Sequence, residues 1–348
     1  MYTITVKSRN ETSERKGDHL EINISRDVTS AITNGLEKYR FIHNALPELN
    51  FSEIDTSITI FNRKLGLPFL ISSMTGGTKK AGCINRILAE AAQQYHLAMG
   101  VGSQRIGLED TGRMESFNVR KYAPDILLFA NLGAVQLNYS FSANDCKQAI
   151  ETIQADGLIL HLNPLQEAMM ENGDTNFSGL LKKIEMICKR LSVPVVIKEV
   201  GWGISAEIAR KLLDAGAAAL DVAGAGGTSW SEVEMHRAKN KILKDTAAAF
   251  RGWGIPTAEA LVDILSGYPE ATLIASGGIK DGIDIAKCIA LGASIGGMAH
   301  GFLTAAADSA EKLHEKIEGI SRQFRTVMFA TGSKNIKDLR NQKIEKFR

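Results

Sequence analysis

The sequence predicts an α/β protein, a (β/α)8 (TIM) barrel with an N-terminal extension and an insertion after strand 6. Three observations point there. From residue 66 onward, eight short apolar runs of β-type composition recur, each ending in glycine or a polar residue. Most lie about 20 to 40 residues apart with a helix-like stretch between, as a parallel strand regained through a crossover helix requires. The segments "LLDAGAAALDVAG" and "CIALGASIGGMAH" also read as two copies of one helix, Gly-Ala turn, strand unit. Runs that are apolar on both faces suit strands buried between a barrel interior and outer helices, with a doubly wound sheet as the lesser alternative.

In chain order, residues 1–65 are an extension that packs on the barrel and adds binding residues to it. The barrel itself occupies 66–330, with its strands in "LPFLISS", "LAMGVGS", "DILLFANLG", "GLILHLN", "PVVIKEV", "AALDVAG", "TLIASGG" and "ASIGGMA". The interval from about 224 to 272 is longer than the others and holds "GAGGTSWSEVEMHRAKN", an insertion that this fold places on its catalytic face. Residues 331–348, ending in "NIKDLRNQKIEKFR", are expected to form a charged helix or a frayed tail.

The totals narrow the function. With 41 basic and 39 acidic residues the formal charge is only +2, so no broad field for nucleic acid exists and any anion site must be local. The four cysteines, Cys83, Cys146, Cys188 and Cys288, are far apart and suit reduced core thiols better than a structural metal. The N-terminus has no apolar leader and no stretch reaches the roughly 18 apolar residues of a membrane span, so a cytoplasmic protein without a membrane partner is expected.

If the barrel is right, chemistry belongs at the C-terminal ends of its strands. Those ends read Ser73, Met74, Thr75; Ser103 and Arg105; Asn131; His161, Asn163, Gln166 and Glu167; Lys198; Thr228; Gly277, Gly278, Ile279; and Ala299, His300. The glycine runs "SGGIKDG" and "GGMAHG" follow strands 7 and 8, where barrels seat a phosphate on backbone N–H groups and a helix N-terminus. Lys198 reads as a Schiff-base nucleophile, a cation for a ligand, or the ion-pair partner of a neighbour such as Glu199. In the extension, "RKGDH" supplies Arg15, Lys16 and His19, either a solvated charge run or a diphosphate clamp aided by Arg105. Locally "NPLQE" is a good helix start, with Asn163 as N-cap, Pro164 at N1 and Gln166 at the capping-box position. Glu234, in "SWSEVE", reads either as an exposed helix acid or as a proton carrier. No G-x-G-x-x-G follows a strand, so no dinucleotide domain is visible.

Nine segments in register, "RKGDH", "YRFIHNALPE", "ISSMTGGT", "GSQR", "ANLGA", "HLNPLQE", "IKEVGWGIS", "GAGGTSW" and "SGGIKDG", resemble the FMN-dependent type 2 isopentenyl diphosphate isomerases. The resemblance spans about residues 14 to 305 and implies a redox-neutral 1,3-proton shift between isopentenyl and dimethylallyl diphosphate. It implies that Ser73, Met74, Thr75, Ser103 and Asn131 line the flavin ring, that Lys198 faces its N1/O2 edge, and that Thr228 holds the ribityl or phosphate end. Gly277, Gly278, Ile279, Ala299 and His300 would bind the FMN phosphate, His300 through its backbone, since "MAHG" departs from the bulkier or more basic residue expected there. Arg15, Lys16, Ser103, Arg105 and Gln166 would hold the diphosphate beside His19, His161 and Asn163, and Glu167 would bind Mg2+. Reduced FMN would deliver the proton, Lys198 would stabilise charge on the flavin, Gln166 would position the reacting carbons, Glu234 would be a second proton carrier, and NAD(P)H would serve only to reduce the cofactor. A homo-oligomer, tetramer or octamer, is expected. A flavin hydroxyacid oxidase would need a His and Arg pair near strand 7 that "WGIPTAEALVDIL" lacks, and a purine-nucleotide dehydrogenase would need a reactive cysteine after strand 6. A barrel that binds phosphate ligands without catalysis would not need polar groups at nearly every strand end.

Overall fold

The computed structural model describes residues 9–347. Eight parallel strands close into a barrel: β1 Phe69–Ile71, β2 Ala98–Gly100, β3 Leu128–Gly133, β4 Gly157–His161, β5 Val195–Lys198, β6 Ala219–Asp221, β7 Leu273–Ala275 and β8 Ile295–Met298. Each expected run contains one of them. Neighbours in sequence are neighbours in space, and β8 returns to β1 with Met298 opposite Ile71.

Strand alternation divides the core. Leu70, Ala98, Phe129, Ile159, Val196, Ala219, Ile274 and Ile295 fill the barrel, while the intervening residues pack outward on the helices. The hairpin Ile58–Ile60/Arg63–Leu65 plugs one end: Phe61 at its turn meets Phe129 edge-on with ring centroids 6.1 Å apart. That leaves the strands' C-terminal ends to carry the site.

The extension covers that face. Its helix α1, Arg9–Ser25, buries Leu20 and Asn23 and packs on α3, Trp230–Arg237, and α4, His300–Asp308. Past α1 the chain is stitched to the loops after β6 and β7. Ser30 N donates to Gly227 O at 2.8 Å, and Asn34 Nδ2 donates to Gly278 O at 2.6 Å. The short helix α2, Pro164–Met169, follows β4. The expected insertion after β6 consists of α3 and a second helix, Lys241–Ala249, ahead of the outer helix Thr257–Gly267.

The C-terminal segment differs from expectation. It is neither a frayed tail nor simply a charged helix: Ile336 and Leu339 are buried on the short helix Ile336–Arg340, and Ile344–Lys346 pairs antiparallel with Tyr39–Phe41. Two apolar residues three apart on a charged helix are enough to dock it, and the strand pairing then ties both ends of the chain together.

Candidate active site

A cavity of about 550 Å³ opens at the C-terminal ends of the strands, and all eight contribute to its wall together with α1. Every site residue expected from the sequence lines it except Glu234, which lies just behind the wall in an adjoining hollow of about 160 Å³ that shares Arg15 and Met170.

One end of the cavity is built from backbone. Gly277 and Gly278 have φ of +102° and +72°, a region that L side chains avoid. A Cβ on Gly277 would lie 2.0 Å from Gly224 O, and one on Gly278 would lie 2.4 Å from Gly226 O, so the loops after β6 and β7 touch through their main chains. Thr257 Oγ1 locks this contact by donating to Gly277 O at 2.6 Å. Ile279 and Thr228 border the cradle, and α4 follows Ala299 with no side chain capping its first turn, so the N–H groups of His300 and Gly301 have no intrahelical acceptor.

Along the wall, Lys198 ends β5 and does not pair with Glu199, the partner considered from sequence. Its ammonium meets Asp221 Oδ2 at 3.0 Å and Ser276 Oγ at 3.3 Å, and Ser276 Oγ donates to Asp221 Oδ1 at 2.6 Å. Two oxygens thus take up the amine that a Schiff base would need free. Glu199 turns away, and its Oε2 accepts from the backbone N–H of Val200, Gly201 and Trp202. Burial outweighs those bonds and pushes its carboxyl up to about 7. Asp221 is the residue missed by sequence reasoning; its signal was a fully buried acid at the end of β6, directly opposite Lys198 in the parallel register. Met74 and Thr75 stand by β1, and Ser72 Oγ and Ser73 Oγ are buried without a hydrogen-bond partner among the described residues.

The far end is made of side chains. His161 Nδ1 shares a hydrogen bond of 2.8 Å with Asn131 Oδ1, and Asn131 N in turn donates to Gln104 Oε1 at 3.0 Å. Burial, then the fields of Lys198, Lys16 and Arg15, push His161 down to about 4, so its ring is neutral at pH 7. Asn163 starts α2 but its side chain caps nothing; Nδ2 donates to Gln166 Oε1 at 3.2 Å and to Glu167 Oε1 at 3.0 Å. Gln166 therefore does not close a capping box. Its Nε2 donates to Glu234 Oε1 at 3.1 Å, the same oxygen that His19 Nε2 reaches at 2.9 Å.

Glu234 is thus not an exposed helix acid: its residue is 2% exposed. Burial works against its charge, yet the bonds from His19 and Gln166 and the nearby Arg237 hold its pKa at about 2. Burial pushes the His19 imidazole below its ordinary value, which suits a neutral ring donating to that carboxylate. Trp230 meets the His19 ring edge-on at 5.1 Å and fixes it.

Lys16 Nζ donates to Ser103 O at 2.6 Å and sits 4.9 Å from the Phe117 ring centroid. Burial first, and then Arg15, Arg105 and Arg113, bring its pKa down to about 7. Burial also lowers Arg15, whose charge is supported by Glu167. Arg105 is clamped by Glu109 at 2.8 Å and Asp174 at 2.6 Å. Glu167 is buried on α2 with a carboxylate on the cavity wall. No group of three His, Cys, Asp or Glu side chains converges to hold a metal among the described residues, so a cation here would have one carboxylate and would take its other ligands from a bound anion and water.

Comparisons with known proteins agree with this geometry. Residues 136–346 match the FMN-dependent dehydrogenase family. The chain is 50% identical to an isopentenyl-diphosphate delta-isomerase of Nostoc sp., covering 97% of both chains. It is 48% identical to one from Rickettsia felis, covering 97% of this chain and 98% of that one. Among solved structures, mandelate oxidase with (S)-2-phenylpropionate aligns over 98% of this chain and 99% of that one, with a TM-score of 0.67 at 18% identity, a likeness of fold alone. The chain belongs to the isopentenyl-diphosphate delta-isomerase family and carries the barrel of the FMN-dependent dehydrogenases.

Proposed function

We propose that the protein interconverts isopentenyl and dimethylallyl diphosphate by a redox-neutral 1,3-proton shift, with reduced FMN in the cavity, Mg2+ on the diphosphate and NAD(P)H as the source of the flavin's electrons. The observation that carries this is the buried chain Gln166–Glu234–His19, which reaches from the cavity wall to the acid behind it, in a cavity that also holds a glycine-built cradle and a cluster of cations. Cytoplasmic residence and a tetrameric or octameric assembly belong to the same proposal; no described helix is long and apolar enough to cross a membrane.

The residues fit FMN on three counts. The Gly277–Gly278 backbone, where a Cβ would push the loops after β6 and β7 apart, and the start of α4 form a cradle suited to a phosphate, with Thr228, Ile279, Ala299 and His300 around it. Ser72 Oγ and Ser73 Oγ are buried polar atoms awaiting partners, with Met74, Thr75, Ser103 and Asn131 around the space a ring would take. Lys198, ion-paired with Asp221, would be the cation for a flavin's N1/O2 edge. Reduced FMN, when bound, supplies an acid–base centre beside the alkene.

The chain's own groups do the rest. Arg15, Lys16 and Arg105 bind the diphosphate, and Glu167 would hold Mg2+, which is commonly bound by few carboxylates plus substrate phosphate. The shift adds a proton at the terminal methylene carbon and removes one from the allylic carbon, passing through tertiary carbocation character. A carboxylate in contact would trap such a cation; the neutral amide of Gln166 orients it and titrates nothing. Glu234, held one hydrogen bond back, carries the charge at a remove: it fixes the Gln166 amide as its acceptor and is a second proton carrier through His19.

The direct test follows isopentenyl diphosphate in D2O with reduced FMN and Mg2+, where deuterated dimethylallyl diphosphate is the expected product. A flavin-loaded protein that yields none would end the proposal. Gln166→Asn keeps the amide but withdraws it by one methylene, and turnover should fall by about a hundredfold.

A further inference from the structure

Asp174 lies in the loop after α2 and touches both partners that would meet a diphosphate and its cation. Its carboxylate Oδ2 accepts from Arg105 Nη1 at 2.6 Å and from Gln136 Nε2 at 3.0 Å. Its backbone N–H donates to Glu167 Oε2 at 2.6 Å. Gly173 allows the fold-back: a Cβ there would lie 1.7 Å from Glu167 O, so the loop lies directly on α2. Glu109 takes Arg105 Nε at 2.8 Å, which leaves Nη2 as the guanidinium nitrogen without a hydrogen bond among the described residues. Glu167 is held just as firmly, with Oε1 accepting from Asn163 Nδ2 at 3.0 Å.

We propose that Asp174 is a positioning residue that sets Arg105 and Glu167 relative to each other, so that the diphosphate oxygens and the divalent cation are bound as one unit. This rests on the diphosphate reading given above. The sign of the charge makes the argument. A buried acid beside an anion site repels the anion, so on electrostatics alone its removal would tighten diphosphate binding. Its hydrogen bonds act through order instead: a planar fork tied at two nitrogens, and a carboxylate tied at both oxygens, enter the complex with little left to immobilise. Charge and positioning therefore predict opposite effects for one substitution.

The probe is inorganic diphosphate with Mg2+, titrated calorimetrically into the FMN-loaded protein. Asp174→Asn, nearly isosteric, should weaken binding about tenfold, leave FMN affinity unchanged, and raise the KM for isopentenyl diphosphate more than it lowers kcat. In an Arg105→Lys background the same change should cost less than about threefold, because the fork it orients is gone. Glu109→Gln loosens the fork from its more exposed side and should also weaken diphosphate, which supplies a second variant should Asp174→Asn fold poorly. Unchanged or tighter diphosphate binding in these variants, or an equal loss in the Arg105→Lys background, overturns the proposal while leaving the isomerase reading intact. A wild-type protein that binds no diphosphate overturns both.

Discussion

The two ends of the cavity are built by opposite means. Around β6, β7 and β8 the wall is main chain, with glycines packed carbonyl to Cα and a helix start left uncapped. Around β3, β4 and β5 it is side chain, in hydrogen-bonded series that run from the extension through α2 to the insertion. A backbone cradle binds one kind of group rigidly and does not titrate. A side-chain cluster can change its protonation and geometry, as a proton shift requires. On the proposed reading, flavin holding and chemistry are thereby separated, and substitutions at the two ends should fail differently.

The largest effect on flavin holding belongs to Gly277→Ala. The new Cβ would meet Gly224 O at 2.0 Å on a residue with φ +102°, so the loops after β6 and β7 must part. Strain of about 1–3 kcal/mol at such a backbone, before any lost contact, predicts a fall in FMN affinity of roughly tenfold to a hundredfold or more. Fluorescence quenching of titrated FMN measures it, and wild-type affinity would show that the cradle is not the phosphate's seat.

At the other end, Glu234→Gln keeps the shape and removes the charge. FMN affinity should stay at the wild-type level while kcat drops by about 10²–10³ with little change in KM, as loss of a proton-transfer group predicts. Its carboxyl titrates far below neutrality, at about 2, so the wild-type rate should show no inflection from this group between pH 5 and 8. A Glu234→Gln variant that lost FMN and turnover together would erase the distinction between the two ends.

How much of this the sequence revealed follows the same division. The barrel was legible because each strand is a local apolar run ending in glycine or a polar residue; the glycine loops after β7 and β8 were legible for the same reason. Glu234 was legible only as two open alternatives, exposed acid or proton carrier, because its partners His19 and Gln166 lie 215 and 68 residues away and only the closed barrel brings them together. Asp221 was overlooked for a related reason: "ALDV" looks like a strand with one stray acid until the register sets it opposite Lys198. The C-terminal segment misled through composition, where Ile336 and Leu339 outweigh the charges around them.

A smaller, purely thermodynamic effect also marks the side-chain end. His161 is held at about 4, below the imidazole's ordinary value of 6.5. The unfolded chain therefore takes up this proton first as pH falls, so the contribution of His161 to stability is complete above pH 6.5 and is lost on going down to about 4. The Tm should decline by a few degrees over that window, and His161→Gln should flatten the decline. A profile unchanged by the substitution would mean that the ring is not desolvated.

Lys16 offers the finest measurement. Its amine lies among Arg15, Arg105 and Arg113 with Glu109 as the opposing charge, and its pKa of about 7 leaves it largely neutral at pH 8. A diphosphate entering this cluster favours the charged form, so binding at pH 8 should draw in about one proton, and below about pH 6, where the amine is already charged, none. Calorimetry of isopentenyl diphosphate in two buffers of different ionisation enthalpy counts the protons, and Lys16→Arg, which stays charged, corrects for the ligand's own titration. The backbone cradle supplies the contrast: FMN binding should show no uptake attributable to Lys16. Equal proton counts in the wild type and Lys16→Arg at pH 8 would mean that the lysine is charged before the ligand arrives, and that this end of the cavity, like the other, is set in advance.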